Sequence, residues 1–327
     1  MIVRRAIQIS MLAITLAITA VAGAAAQSYP ARSITIVVPF PPGGNSDFVI
    51  RHLSDRLSLS LGQPVIVENR AGGAGGTVGT KAIASASPDG HMLGFVPAGP
   101  LVTAPLIYRN LGYDPVRDIT PVAMVFSIPQ MLAINPALPV KSMEQLASHA
   151  KANPGKISFA TPGYGTQPHL LGEMFRLLTG ANIVHVPYKG PAPAITDLLA
   201  GQVQMYFDTV ALFLPHIKAG KLTALAVAAE TRSSELPDVP TTTESGFATL
   251  QSTFWAGVVA PKGTPPSVVG KLNVTINEIL KAPELETNLA KINAKPKIGS
   301  PEDFALFMAA ETQKWGKVIA AAGIKAD

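Results

Sequence analysis

Short apolar runs alternate with segments of helical periodicity along most of the chain. Residues 34–38 form an uninterrupted β-branched run, which is typical of a strand buried in a parallel sheet. A turn rich in proline and glycine follows, and from Ser46 to Leu57 apolar residues recur at helical spacing. The same order of strand, turn and helix returns with a strand at 157–160 and a helix at 168–179. This alternation predicts βαβ units and a sheet of the α/β class.

The same patterns place the remaining elements. Further strands are predicted at 65–67, 92–96, 128–135, 183–187, 203–207 and 222–229. Further helices are predicted at 77–85, 191–200 and 210–219, and two helical segments are predicted to close the chain. Another helix opens at the capping box that begins with Ser142 and ends at the "NPG" turn of 153–155.

The composition is that of a folded protein with more than one domain. The chain has 327 residues, of which 47% are hydrophobic and 14% charged. Because single cores rarely grow beyond about 250 residues, this length predicts two domains of roughly 150 residues each. The chain has no cysteine. That absence excludes thiol catalysis, cysteine-bound zinc and a lipid-modified cysteine.

The N-terminus has the layout of a secretory signal. Arg4 and Arg5 precede an uncharged apolar run that ends in three small residues, Ala24–Ala26. The alternative is a membrane anchor, but the small-residue cleavage site favours export with cleavage after residue 26. Loss of residues 1–26 lowers the formal net charge from +5 to +3. A charge this mild does not predict a nucleic-acid partner. The expected location is the periplasm.

The turn after the first strand is suited to an anion. Gly43 and Gly44 let the backbone approach a ligand, and the helix that follows presents unpaired N–H groups at its positive end. Two alternatives remain open for this turn. Asn45 or Ser46 could simply cap the helix, and Asp47 could serve only to favour the helix dipole.

A second turn of the same kind follows the strand at 157–160. It contains Gly163, Tyr164, Gly165 and Thr166 and leads into the next helix. Ligands of open α/β sheets bind outside the carboxyl ends of the strands. Two such turns facing each other could hold a carboxylate without any arginine. Each helix dipole contributes only about 0.3–2 kcal/mol, so binding requires further hydrogen bonds.

Enzymatic motifs are incomplete in this sequence. The glycine-rich stretch 72–79 has Val78 where a dinucleotide fingerprint needs glycine, and no Gly-Lys-Ser/Thr of a P-loop follows. His169 and Glu173 lie four residues apart on one predicted helix, where an interaction along the helix face is favoured over a metal site. Asp208 follows a predicted strand, where it either contacts a ligand or caps the next helix.

Seven segments together resemble the Bug receptors, the extracytoplasmic solute-binding proteins of tripartite tricarboxylate transport systems. These segments occur in the family's order and cover nearly the whole chain after residue 26: "ITIVVPFPPGGNSD" (34–47), "LGQPVIVENRAGGAGGTVG" (61–79), "SPDGHML" (87–93), "LGYDPVRDITPVA" (111–123), "ATPGYGTQPHLLGEMF" (160–175), "VPYKGPAPAITDLLAGQVQMYFD" (186–208) and "FWAGVVAPKGTPPSVVGKLN" (254–273).

The resemblance implies a type II periplasmic-binding-protein fold. Two α/β lobes, joined by two crossing strands, would close on a ligand between them. Lobe 1 would comprise residues 27–128 and 252–327, and lobe 2 residues 129–251. The implied function is capture of a small carboxylate-bearing organic anion and its delivery to a membrane permease. Neither catalysis nor a cofactor or metal is expected, and a closing receptor of this kind is expected to be a monomer.

The resemblance also implies where the ligand binds. The family's contacts map onto the two turns, the loop at 97–100 and the strand end at Asp208. The candidate ligand-binding residues are Pro42, Gly43, Gly44, Asn45, Ser46, Asp47, Ala98, Gly99, Gly163, Tyr164, Gly165, Thr166, His169 and Asp208.

Tyr164 departs from the family pattern, in which asparagine or a small residue is usual at this position. The departure suggests that an aromatic or compact ligand packs against the ring.

Two other functions remain open from the sequence. One is an exported hydrolase of small acids or esters that uses Ser46 with His169. The other is a ligand-sensing module for a signalling partner.

Overall fold

The computed structural model describes residues 29–325, so the predicted signal peptide at 1–26 lies outside the described residues. The strands are β1 (Ile34–Val38), β2 (Val65–Asn69), β3 (Met92–Pro97), β4 (Ile119–Ile134), β5 (Ile157–Thr161), β6 (Ile183–Pro187), β7 (Met205–Thr209), β8 (Thr223–Val227), β9 (Thr253–Pro261) and β10 (Lys295–Pro296).

Helices connect most of the strands. They are α1 (Asn45–Leu61), α2 (Thr77–Ala84), α3 (Ala104–Ile107), α4 (Pro115–Asp118), α5 (Met143–Ala152), α6 (Gln167–Thr179), α7 (Pro191–Leu199), α8 (Val210–Lys218), α9 (Pro266–Leu280), α10 (Pro283–Ala290) and α11 (Pro301–Ala322). A short 3₁₀ turn (Ala74–Gly76) precedes α2, and a π-helical turn (Gly99–Thr103) precedes α3. Among residues 29–325, none of the helices combines the length and the apolar character of a membrane span.

The strands form two groups that share β4. The order is β2-β1-β3-β9-β4-β7-β5-β6, and β8 and β10 also pair with β4. Strand β1 is parallel to β2 and β3, and β5 is parallel to β6 and β7. In each group the parallel strands therefore end at one edge, and each group places one of the predicted ligand turns there. These observations confirm the predicted α/β class.

Strand β4 changes partners in its middle. Residues 119–129 pair with β9, residues 130–134 pair with β7, and residues 131–134 also pair with β8. At the point of change, the Gln130 N–H donates to the Ser252 carbonyl (3.2 Å) and the Gln130 carbonyl accepts from the Ala228 N–H (2.7 Å). The Ser252 N–H also donates to the Ala228 carbonyl (2.8 Å). The lobe division at 128/129 and 251/252 stays a prediction, and it lies next to this junction.

Helix α1 shows how the apolar pattern holds the first turn in place. Its buried face carries Val49, Ile50, Leu53 and Leu57, which pack in one cluster with β1. Full burial of such a side chain contributes about 1.5–3 kcal/mol relative to leaving it exposed. This face fixes the start of α1 at the carboxyl end of β1, as the sequence predicted.

Several element ends differ by a few residues from the sequence expectations, and three differences are larger. The strand predicted at 128–135 is the end of the longer β4, whose pattern is interrupted by Pro121 and by two bulges. Three helices follow β9 instead of two, because Pro283 starts a new helix after the extended Ala282. The predicted loop at 97–100 is the end of β3 and the start of the π-helical turn.

Candidate functional site

The first turn is held by a carboxylate inside the helix that follows it. Gly44 is the N-cap of α1, and no side chain caps the helix at that position. Instead, the Gly43 N–H donates to Oδ2 of Asp47 at 3.0 Å. Gly43 has a φ of 95°, a conformation that disfavours a side chain, so glycine is required to present its N–H in this direction. The alternative that Asn45 or Ser46 caps α1 is therefore wrong.

Asp47 is itself fixed by neighbours. Arg51 donates to both of its carboxylate oxygens (2.9 and 3.0 Å), and Asn69 on β2 donates to Oδ1 at 2.9 Å. Burial alone would raise the pKa of Asp47, but the hydrogen bonds from Arg51, Asn69 and Gly43 outweigh it and lower the pKa below its usual value. Asp47 is thus a charged residue that positions the turn.

The second turn repeats this geometry with a different side chain. Thr166 is the N-cap of α6 without a side-chain cap, and the Gly165 N–H donates to Nδ1 of His169 at 3.0 Å. Gly165 has a φ of 73°, and a Cβ there would come within 2.6 Å of Ile107 Cδ1. In both turns, a glycine just before the N-cap donates to the third residue of the helix. The repeat seen in the sequence therefore extends to the backbone geometry.

Both helix ends keep free donors. In the hydrogen bonds between residues 29–325, the N–H groups of Gly44, Asn45 and Ser46 donate to no protein atom, and the same holds for Thr166 and Gln167. Such groups carry the positive end of the helix dipole. The arrangement can therefore bind an anion at each turn.

A cluster of four rings packs at the second turn. The rings of His169 and His185 stack 3.9 Å apart, Tyr164 lies 4.8 Å from His169, and Phe159 lies 4.9 Å from His185. His185 Nε2 lies 2.7 Å from Oγ1 of Thr161 at the end of β5. Because Nδ1 of His169 accepts a hydrogen bond, the proton of the neutral ring is assigned to Nε2.

The stacked histidines are uncharged. Burial lowers the pKa of His169 to about 3, with a smaller contribution from His185. Burial likewise lowers the pKa of His185 to about 4. Neutral rings keep Nδ1 of His169 available as the acceptor of the second turn.

Tyr164 connects the second turn to the C-terminal end of the chain. Its side chain is 43% exposed, and its hydroxyl donates to the Lys325 carbonyl at 3.3 Å. Near it, Gln167 Nε2 donates to the Thr253 carbonyl of β9 at 2.9 Å. The second turn is thus attached to β9 and to the segment after α11, both of which belong to predicted lobe 1.

Asp208 lies near the carboxyl end of β7, where the parallel register of β5 and β7 continues towards the start of the second turn. It is the fourth residue of β7, opposite Met131 of β4, and not a residue after the strand as the sequence predicted. The Tyr206 hydroxyl and the Thr209 N–H donate to its carboxylate. Burial raises the pKa of Asp208. Its side chain does not cap α8, whose N-cap Thr209 has no side-chain cap.

Ala98 and Gly99 adjoin the glycine-rich stretch after β2. Ala98 is buried, and a Cβ on Gly99 would lie 3.7 Å from the Gly75 carbonyl. From the sequence, this glycine-rich stretch was considered only as a nucleotide-binding motif, and its position beside Ala98 and Gly99 was not predicted. Arg51 and Asn69 were missed as well, because the sequence has no local signal that directs them to Asp47.

In the structure, the candidate residues of the two turns form two separate groups. Residues 42–47 form the first turn and residues 163–169 the second. No hydrogen bond between described residues joins one turn directly to the other. Pro42 is exposed beside Gly43.

The geometry supports neither hydrolysis by Ser46 with His169 nor a metal site at His169 and Glu173. Nδ1 of His169 accepts from the Gly165 N–H and Nε2 carries the proton of the neutral ring, so the ring has no free acceptor that could take a proton from Ser46. Glu173 forms an ion pair with Arg176 at 2.7 Å. Within residues 29–325, no group of three or more acidic, histidine or cysteine side chains could hold a metal ion.

Comparison with known proteins identifies the family. Residues 49–324 match the family described as "Tripartite tricarboxylate transporter family receptor" (TctC). The chain belongs to this family. The protein BugT of Bordetella pertussis is 42% identical over 301 residues, which is 92% of each chain. The resemblance to Bug receptors is therefore confirmed, and so is the prediction of a binding protein that is not an enzyme.

Two solved structures show similar proteins with ligands. One is described as Rpa4515 of R. palustris with adipate; it is 36% identical, covers 91% of this chain and 99% of its own, and has a TM-score of 0.81. The other is MatC from Rhodopseudomonas palustris with bound malate; it is 32% identical, covers 89% of this chain and all of its own, and has a TM-score of 0.76. These similarities confirm the periplasmic-binding-protein fold of the receptor.

Proposed function

We propose that the receptor captures a small dicarboxylate between the two turns and delivers it to a membrane permease of the tripartite tricarboxylate type. The observation that carries this proposal is a pair of helix N-termini that no side chain caps at the N-cap position. At each one, the preceding glycine N–H donates to the side chain of the third helical residue. Gly44 to Ser46 would donate to one carboxylate from the first turn. Thr166 and Gln167 would donate from the second.

The energetics require both turns at once. Micromolar binding needs about 8 kcal/mol. One helix dipole supplies at most about 2 kcal/mol, and each charge-assisted hydrogen bond adds roughly 1.5–3 kcal/mol. Association itself costs at least about 4 kcal/mol, so three such bonds and one dipole from a single turn do not reach the roughly 8 kcal/mol required. The similar proteins described with adipate and malate support a ligand with two carboxylates.

The remaining candidate residues take supporting roles in this proposal. Gly43 and Gly165 would not contact the ligand through their N–H groups, because Asp47 and His169 accept from them. Ala98 and Gly99 would border the ligand through their backbone. Asp208, with its raised pKa, would lie at the floor of the cleft near the crossing strands.

The larger organisation of the receptor is part of the same proposal. Residues 27–128 with 252–327 would form one lobe and residues 129–251 the other, with closure about the junction of Gln130, Ala228 and Ser252. A cleaved signal at 1–26 would export the receptor to the periplasm as a monomer. The family match supports the permease partner.

The test is ligand binding by a variant in which only the ligand's space is filled. Gly44 has a φ of −82°, and a Cβ there meets no atom within 4 Å, so Gly44→Val introduces no strain into the empty receptor. Gly43→Val is a poorer test, because its φ of 95° makes any side chain unfavourable. We expect adipate or malate to raise the melting temperature of the wild type and not that of Gly44→Val.

The matched control is Gly270→Val on α9, which is also exposed and has open space around its Cβ. This variant should bind as the wild type does. Dicarboxylate binding that survives in Gly44→Val would remove the first turn from the site. A wild type that neither adipate nor malate stabilises would contradict the proposed ligand class.

A further inference from the structure

A second cavity lies at the junction of the strand groups. Its volume is about 580 Å³, within the range of small-molecule sites. The segment 228–235 after β8 forms one wall, residues 293–297 and the middle of α11 form another, and residues 251–253 lie between them. None of the residues predicted to bind the carboxylate lines this cavity.

A buried hydroxyl lines the cavity without a partner. Ser252 is 4% exposed, and its Oγ has no hydrogen-bond partner among the described residues. The backbone of Ser252 is fully used, since its N–H donates to Ala228 and its carbonyl accepts from Gln130. Buried hydroxyls are usually hydrogen-bonded, and an unmet one costs about 1–3 kcal/mol. A polar group of a ligand would satisfy it.

Some of the charges that line the cavity are already neutralised by protein groups. Glu311 accepts from the indole N–H of Trp315 at 2.9 Å and pairs with Lys314 at 3.3 Å. Arg232 pairs with Glu244 at 2.9 Å, and Glu235 pairs with Lys218 at 2.9 Å.

Four lining charges are left, two of each sign. Lys295, Lys297, Glu230 and Glu286 line the cavity. In the part of the chain that the structure describes, none of them takes part in an ion pair. The lysines flank Pro296 on β10, Glu286 lies on α10, and Glu230 lies on the opposite wall. Opposite charges thus face one cavity without meeting.

We propose that this cavity, here called the junction site, binds a small zwitterion such as an amino acid. Its carboxylate would bind Lys295 and Lys297, its ammonium group would bind Glu230 or Glu286, and a polar atom would bond to Ser252 Oγ. A simple anion would gain from the lysines but lose through the nearby carboxylates. A molecule that carries both charges can form ion pairs with the lysines and with a glutamate of the cavity at the same time. It also bridges the segment after β8 and the C-terminal helices, which the proposed closure would move relative to each other.

The experiment measures melting temperatures of the mature receptor with L-alanine or L-glutamine at about 10 mM, a concentration that reveals millimolar affinity. The comparison compounds are N-acetyl-L-glutamine, which lacks the ammonium group, and L-glutamine amide, which lacks the carboxylate. We expect the amino acids to stabilise the receptor and the two single-charge analogues to bind about tenfold more weakly. No stabilisation by either amino acid, or equal stabilisation by an analogue, would overturn the proposal.

Variants locate the effect. K295Q/K297Q and Ser252→Ala should each weaken amino-acid binding about tenfold. Ser252→Ala should leave the melting temperature of the free protein unchanged or raised, because it removes an unpaired polar group. Lys291→Gln, a nearby exposed lysine that does not line the cavity, is the control.

The cleft variant Gly44→Val separates this proposal from the proposed function. Amino-acid binding at the junction site should persist in Gly44→Val, whereas dicarboxylate binding should be lost. If amino-acid binding disappears in Gly44→Val and survives in K295Q/K297Q, the amino acid occupies the cleft and the junction site is refuted. The comparison of amino-acid binding between the two variants does not depend on whether the receptor binds a dicarboxylate.

Discussion

Acidification should destabilise the receptor through the stacked histidines. His169 and His185 remain neutral in the folded state, with pKa values of about 3 and 4, because burial disfavours their charged forms. In the unfolded chain a histidine titrates near about 6.5. Below that pH the unfolded state binds more protons than the folded state. Stability is therefore fully present above about pH 6.5 and is lost as the pH falls towards the folded pKa values.

The size of the loss at pH 5 is set mainly by the unfolded pKa, with a reduction where burial is incomplete. Both folded pKa values lie below 5, so the folded rings stay neutral there. The gap of about 1.5 pH units corresponds to about 2 kcal/mol for each histidine, at 1.36 kcal/mol per unit. His185 is only partly buried and contributes less, so we expect about 3–4 kcal/mol for the pair. Carboxylates add little in this window, since they titrate near about 4 when unfolded.

The measurement is urea unfolding of the ligand-free receptor at pH 8 and pH 5. In H169N/H185Q the non-titrating side chains should reduce the difference to about 1 kcal/mol or less. The amide oxygen that H169N introduces can still accept from the Gly165 N–H, as the Asp47 carboxylate does from Gly43 in the first turn. His216→Gln, on the last turn of α8 and outside the stack, should keep the wild-type difference. An equal pH dependence in H169N/H185Q and wild type would refute the reasoning.

Three further predictions concern single side chains. Asp47→Ala should weaken dicarboxylate binding about five- to tenfold in calorimetry, because a cap is worth about 1 kcal/mol and Gly43 loses its acceptor; unchanged affinity would contradict this. Glu311→Leu should lower the free energy of unfolding by about 2–4 kcal/mol, since it leaves the buried Trp315 N–H unpaired; tryptophan fluorescence during urea unfolding measures it, and a change below about 1 kcal/mol would contradict it. Tyr164→Asn should reduce any preference for benzoate-like over aliphatic acids, and an unchanged preference would count against packing on the ring.

The two turns were predictable because their signals are local. A short strand-like run, a Gly/Pro turn and a helical period fall within about 25 residues in each case, so the placement of α1 and α6 needs no distant contact. Glycine at positions 43 and 165 reflects a backbone requirement that the structure bears out as positive φ. The capping alternative failed because the side chain that accepts lies inside the helix, at Asp47 and at His169.

The partners of those side chains were not predictable. Arg51 lies on the same helix as Asp47, but Asn69 reaches it only because β2 pairs in parallel with β1. The register of β5 and β6 sets His185 opposite Phe159, and His169 of α6 packs against both rings. Strand register depends on packing across the sheet and is not encoded at either position alone.

The sequence by itself determined the alternation of strands and helices, the two anion-suited turns and the family. Each depends on the spacing of residues close together in the chain. Only the tertiary structure decided that both histidines are neutral, that Asp208 lies within β7 opposite Met131 of β4, and that Ser252 lines a second cavity. Those properties depend on burial and on neighbours from distant segments, which exist only once the sheet has formed.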